Sequence, residues 1–107
     1  MTDFWVIDTK CKVSPESGLP QDGSEFYYGR SVVPAENEKI AISKLRELLK
    51  SHKIIIDKVL ESIIYENGFW EDDKFDVHNS YEESKAENSV ELGCFLSEKC
   101  SCHSFNK

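Results

Sequence analysis

Four residues that can act as soft metal ligands crowd the carboxyl end of this 107-residue chain as Cys94-x5-Cys100-x-Cys102-His103, and Cys11 stands far upstream. Thiolate sulfur and imidazole nitrogen are the donors that zinc gathers into a tetrahedron, usually from paired C-x2-C or H-x3-H elements. Neither spacing occurs here. Free thiols are therefore the expectation, and zinc at Cys94, Cys100, Cys102 and His103 is the alternative. Cys11 would join such a site only if the two end strands were neighbours. Cys94, between Leu92 and Leu96 in an apolar alternation, reads instead as a small buried hydrophobe.

The second concentration of chemistry is acidic. Between Glu66 and Glu91 lie Glu66, Glu71, Asp72, Asp73, Asp76, Glu82, Glu83, Glu87 and Glu91, against Lys74 and Lys85. The remaining segments balance, so the formal charge of −7 resides in about a quarter of the chain. Such a field repels nucleic acid, whose affinity for proteins comes largely from phosphate neutralisation by Lys and Arg. It attracts and steers a basic protein instead. Phe69 and Trp70 stand at the edge of the run, and aromatic anchors ringed by charge suit an interface. The expected contact set is Phe69, Trp70, Glu71, Asp72, Asp73, Asp76, Glu82 and Glu83. The competing reading is a solvated acidic face that keeps the protein soluble.

Catalytic signatures are missing: there is no G-x-S-x-G, G-x-G-x-x-G, phosphate loop or H-E-x-x-H. Asp72, Asp73, Asp76 and His78 follow no calcium-loop spacing. His52 falls at the end of an expected helix, where a partly cationic ring suits the dipole. A composite enzyme site would have to draw on Tyr27, Tyr28 and Arg30. The expectation is a binding protein with no catalytic residues and no cofactor, and the alternatives are a metal or redox module and a small enzyme.

The elements that must position these groups follow from periodicity. The chain is organised around residues 31–52, where an apolar strand end meets an amphipathic helix. Asn37 is an N-cap candidate and Glu38 favours the positive end of the dipole, so the helix is expected from 38. Ala41, Leu45, Leu48 and His52, with Ile42 and Leu49 beside them, form its apolar stripe. Upstream, residues 4–13 alternate as a strand, 14–24 are a Pro- and Gly-bearing loop, and 25–33 are a second strand in which Gly29 marks a bulge or a close approach.

Downstream, residues 54–66 fit both helical and strand periods. Their β-branched content and the need for a third strand beneath the helix favour a strand over 59–66. Asn67-Gly68 is a turn signal, and Ser80 with Glu83 matches a capping box, which predicts a short helix over 81–87. Residues 89–97 read as a last strand and 98–107 as a Cys-containing tail. The expected fold is a single α+β domain over 1–97, a small two-layer sandwich. It has a mainly antiparallel sheet of about four strands and two helices on one face, in the order β-β-α-β-α-β.

The layout W-V-I-D-T-K-C, then Y-Y-G-R-S-V-V-P-A-E-N-E, a helix, an I-I-Y-E strand and a closing E-L-G-C-F-L-S resembles small bacterial immunity proteins of polymorphic-toxin and contact-dependent growth inhibition systems. The likeness spans most of residues 1–97 and transfers no individual site residue. It implies a non-catalytic protein that binds one toxin domain and blocks its active site. Many such toxins are nucleases with basic clefts, and the acidic quarter suits them. No apolar run approaches the ~20 residues of a membrane span. The amino-terminal MTDFWVIDTK lacks the pattern of a secretory signal, and the four cysteines then point to reduced thiols, so a cytoplasmic location is expected.

Overall fold

The computed structural model describes residues 2–14, 16, 23–68, 77–97 and 102–103, with the backbone alone at Cys94, Cys102 and His103. Strands β1 (Asp3–Val13), β2 (Phe26–Ala35), β3 (Ile54–Ile64), β4 (Glu91–Ser97) and β5 (Cys102–His103) form one sheet in the order β3-β1-β2-β4-β5. Every neighbouring pair is antiparallel. Helices α1 (Glu38–Ser51) and α2 (Val77–Glu87) complete a small α+β sandwich. A fifth strand is added to the four expected, because Cys102–His103 pairs with Phe95 and Leu96. That pairing falls within the stretch whose lack of periodicity suggests a loose tail. Two residues are too few to carry a period.

Helix α1 begins where expected. The Asn37 side chain accepts from the Ile40 amide at 2.9 Å, in the N-cap geometry that satisfies one of the free first-turn donors. His52 closes the helix, its backbone N–H donating to the Leu49 carbonyl at 2.9 Å. The fully buried stripe is Ala41, Leu45 and Leu49, with Ile42 and Leu48 half-buried beside it. Lys53, at φ 63°, then turns the chain directly into β3.

β3 starts five residues earlier than expected, and its last expected turn is a 3-10 helix at Tyr65–Asn67. Its pairing with β1 explains the mixed period. Glu61 lies opposite Asp8 and Val59 opposite Thr9, so Leu60 is an extra residue; Asp57 is extra in the same way between Lys58 and Ile56. These two bulges shift the strand's alternation twice. Ile54, Ile56, Val59, Ser62 and Ile64 consequently share one face at spacings of two and three, which imitates a helical stripe.

The two helices, expected on one face, cover opposite faces. Ile7, Cys11, Val33 and Ala35 pack with Ala41, Leu45 and Leu49 of α1, together with Tyr27, Ile54 and Phe95. Val6 and Val32, adjacent in register and pointing the other way, pack with Val77 of α2, flanked by Phe4, Ile63, Tyr65 and Tyr81. The sheet and α1 are the two main layers, and α2 covers one end of the opposite face. This arrangement follows from strand order. β3 ends at one edge and β4 begins on the far side of β2, so the chain must cross the sheet, and α2 lies on that crossing.

α2 also starts four residues before the expected Tyr81. Ser80 is inside the helix and 8% exposed, not a cap, and Ser84 is fully buried. The Ser84 hydroxyl donates to the Ser89 carbonyl at 2.6 Å, which ties the helix end to the approach of β4. Asn88, at φ 52°, supplies the left-handed residue that ends the helix. In β2, Pro34 lies past Val32, the last residue paired with β4, where a residue without N–H is tolerated. Gly29 is a close approach and lies at a register shift: a Cβ there would sit 2.6 Å from Phe95 Cε1.

Candidate functional site

The 3-10 turn that carries Glu66 and the helix α2 that carries Glu82 and Glu83 are joined by an aromatic junction. Tyr65 stacks on Tyr81 with ring centroids 3.8 Å apart and planes within 6°. Phe4 meets Tyr81 edge-on at 5.5 Å, and the Tyr65 hydroxyl shares a 3.1 Å hydrogen bond with His78 Nδ1. The edge-on contact is favoured by the ring quadrupoles, and the stack by dispersion and by burial of the two ring faces. Helical spacing makes the rest follow. Val77, Ser80 and Ser84 face the sheet, which leaves Asn79, Glu82, Glu83 and Ala86 on the outer side, all exposed.

Glu66 and Glu87 are exposed as well, and Glu91 at the start of β4 accepts from the Ser89 hydroxyl at 3.3 Å. Lys85 lies 5.8 Å from the Tyr81 ring centre. Gly68, which donates to the Tyr65 carbonyl at 3.2 Å, and Val77, next to His78, both belong to this junction. Gly68 and Val77 therefore lie at one corner of the fold. Glu82 and Glu83 of the expected contact set are on that corner; Phe69, Trp70, Glu71, Asp72, Asp73 and Asp76 lie outside the described residues.

The other candidate constellations are dispersed. Cys11 is on β1, with β2 between it and β4, so it lies roughly two strand spacings, about 10 Å, from the β4 backbone. It faces the α1 core instead, its Sγ donating to Thr9 Oγ1 at 3.3 Å. Burial pushes its thiol up from 9.0 to about 11, partly opposed by the Thr9 hydrogen bond and reinforced by the nearby Asp57 charge. It is therefore a protonated thiol at neutral pH, packed among the apolar side chains of the α1 core. Among the described residues no group of three or more His, Cys, Asp or Glu is placed to hold a metal ion. Cys100 lies outside them. The alternation expected for Cys94 is broken, because Leu92 opposite Ser31 and Phe95 opposite Gly29 are three residues apart.

Tyr27, Tyr28 and Arg30 do not converge. Tyr27 is fully buried in the α1 core, and Tyr28 and Arg30 are on the other face. Arg30 makes a bidentate ion pair with Asp8, a partnership that the alternation of β1 and β2 could have suggested had strand register been known. An open groove of about 620 Å3 runs between α1 and the approach to β4, lined by Ile40, Leu48 and Val90 with Ser43, Lys44, Glu47 and Ser89. Lys44 Nζ donates to the Pro34 carbonyl at 2.8 Å, so the groove's cation is committed to holding α1 on β2. No helix among the described residues is long and apolar enough to cross a membrane. No protein-family model, no curated protein and no solved structure matches the chain.

Proposed function

We propose that this chain is a non-catalytic cytoplasmic binding protein of the immunity type, which neutralises a basic, nuclease-type bacterial toxin domain through its acidic corner. The observation that carries the reading is the Tyr65–Tyr81 stack. By fastening the 3-10 turn to α2 it brings Glu66 to the helix that carries the exposed Glu82 and Glu83. A negative field fixed on a rigid element steers a cationic partner and sets its register. Phe69 and Trp70 would supply the apolar anchors, and Glu71, Asp72, Asp73 and Asp76, with Glu82 and Glu83, the charges that pair with lysines and arginines of the partner.

The test is co-expression with the carboxy-terminal domain encoded immediately upstream, scored by growth and then by co-purification over a salt series. A domain that is toxic alone, tolerated together and released only at high salt supports the reading. Asp72→Lys/Asp73→Lys should then weaken binding and flatten its salt dependence. A harmless domain, or one toxic regardless of this chain, removes it.

One observation favours a second reading. β5 pairs with β4 so that Cys102 lies opposite Leu96, two residues from Cys94 on the neighbouring strand. A metal or redox module there would protect its thiols from titration until a chelator or reductant is added.

A further inference from the structure

We infer that the α2 face of the sheet is a self-docking surface: two copies of this chain associate face to face, each laying the acidic outer side of α2 on the open half of the other's sheet. The inference does not depend on the toxin partner proposed above, and because both use Glu82 and Glu83, a bound toxin domain and a second copy would compete for that face.

That face is divided by the Asp8–Arg30 pair. On one side α2 covers Phe4, Val6, Val32 and Ile63. On the other, register places Lys58, Lys10 and Tyr28 in one row and Ile55, Lys12 and Phe26 in the next. No described helix lies over these two rows. Lys12 and Lys58 are exposed, and Ile55 is 66% exposed, the largest value among the apolar side chains of the described sheet. The lysines do not stand apart from the apolar surface: Lys10 Nζ is 4.1 Å and Lys12 Nζ 5.6 Å from the centre of the Phe26 ring. The open half is thus a basic and aromatic floor in a chain whose net charge is −7.

Beside this floor α2 stands about 10 Å proud, the diameter of a helix with its side chains. Its outer side carries Glu82 and Glu83 with Asn79 and Ala86. A raised acidic half next to a lowered basic half is a self-complementary step. A two-fold axis normal to neither sheet but between them places each helix on the other copy's floor, and every contact is made twice. The two helices then lie side by side in one layer between two sheets, with Glu82 and Glu83 against Lys10, Lys12 and Lys58, and Ala86 toward Phe26 and Ile55.

A second copy fits better than the other ligand that lysines around an aromatic ring can take, a single-stranded nucleic acid. The acids that would repel a phosphate backbone stand on the same face, and they are the groups that a second copy brings in matched position. Long-range repulsion between two chains of −7 is screened beyond about 8 Å at physiological salt, whereas pairs brought into contact and partly buried are screened much less.

Sedimentation of the purified chain over a concentration series at physiological salt tests this directly. The expected result is a monomer–dimer equilibrium. Glu82→Lys/Glu83→Lys should abolish it, although the variant's net charge falls from −7 to −3, a change that on net repulsion alone would strengthen association. Lys12→Glu/Lys58→Glu should abolish it too. All four side chains are exposed, so both variants should keep the wild-type circular dichroism spectrum. Mixed one to one, the two variants should form a heterodimer, because the reversed helix of one then meets the reversed floor of the other, and native helix meets native floor, each with opposite sign. A wild type that stays monomeric up to its solubility limit, dimers that survive either reversal, or a mixture that fails to pair would overturn the inference. So would a wild type that remains monomeric while binding an oligothymidylate probe through Lys12 and Lys58.

Discussion

Arg30 reaches across from β2 and holds both carboxylate oxygens of Asp8, Nε donating to Oδ1 at 2.7 Å and Nη2 to Oδ2 at 2.9 Å. The side chains are 17% and 21% exposed, so water screens the pair only in part. Asp8→Asn should cost about 1–3 kcal/mol, between the range of exposed pairs and that of buried ones, because it leaves a half-buried guanidinium without its counter-charge. Replacing both residues by apolar ones of similar size should cost less than the sum of the single changes. A double-mutant cycle by urea denaturation measures the difference, and strict additivity would remove the pair from the fold's energetics.

The contact of Phe95 with Gly29 makes a second prediction. Gly29→Ala places a methyl within 2.6 Å of the phenyl edge, in a site where β2, β4 and the ring are all packed, and should cost about 1–3 kcal/mol through overpacking. In a Phe95→Leu background the same substitution should cost markedly less. Equal costs in the two backgrounds would show that the ring does not set the requirement for glycine.

Cys11 makes stability depend on alkaline pH. Its folded-state pKa, about 11, lies above the ordinary 9.0, so the native state holds the proton more tightly than the unfolded state does. The contribution is fully present below pH 9 and is lost as pH rises through 11. Its full size is roughly 2–3 kcal/mol, two units at about 1.4 kcal/mol each. Unfolding free energies at pH 8 and pH 10.5 should diverge more for the native chain than for Cys11→Ala. Identical pH slopes would contradict the assignment. Alkylation of Cys11 should likewise proceed only as fast as the protein opens.

Removing the Tyr81 ring should loosen the whole α2 corner. Tyr81→Ala loses the stack on Tyr65 and the edge contact with Phe4, for a cost of about 2–3 kcal/mol, whereas Tyr81→Phe should fall within about 0.5 kcal/mol of the native chain. Amide exchange should speed up across Val77–Glu87 in the alanine variant and leave α1 little changed. Uniform acceleration over both helices would place Tyr81 in the global core instead.

Much of this fold was legible before the structure. Asn37 and Glu38 announced the start of α1, and the alternation of residues 4–13 and 25–33 announced the β1–β2 pair, because those signals are local. What was not legible is what depends on partners. The stripe of residues 54–64 mixes two periods because Asp57 and Leu60 are bulged against β1, and a single strand's sequence does not say where its neighbour forces an extra residue. Ser80 with Glu83 imitates a capping box, yet the burial of Ser80 against the sheet is decided by a chain crossing that no local pattern encodes. The faces of the two helices were missed for the same reason: alternation tells which residues of β1 share a side, and strand order tells which helix reaches them. For the candidate site, the charge pattern marked an acidic quarter of the chain, and the Tyr65–Tyr81 junction beside Glu66 became visible only once the turn and α2 were brought together.

The two bulges of β3 have a consequence for the protein in solution. An isoleucine-rich strand of eleven residues at the rim of a sheet, with Ile55 and Leu60 exposed, presents a row of outward backbone groups on which a stray chain could add and seed a growing fibre. Growth of that kind needs donors and acceptors at even intervals along a straight ribbon. Asp57 and Leu60 interrupt the interval twice and twist the rim, and Asp57 and Lys58 put charge where an incoming strand would have to shed water. The irregularity that disguises β3 as a helix is also what keeps so sticky a rim from acting as a template.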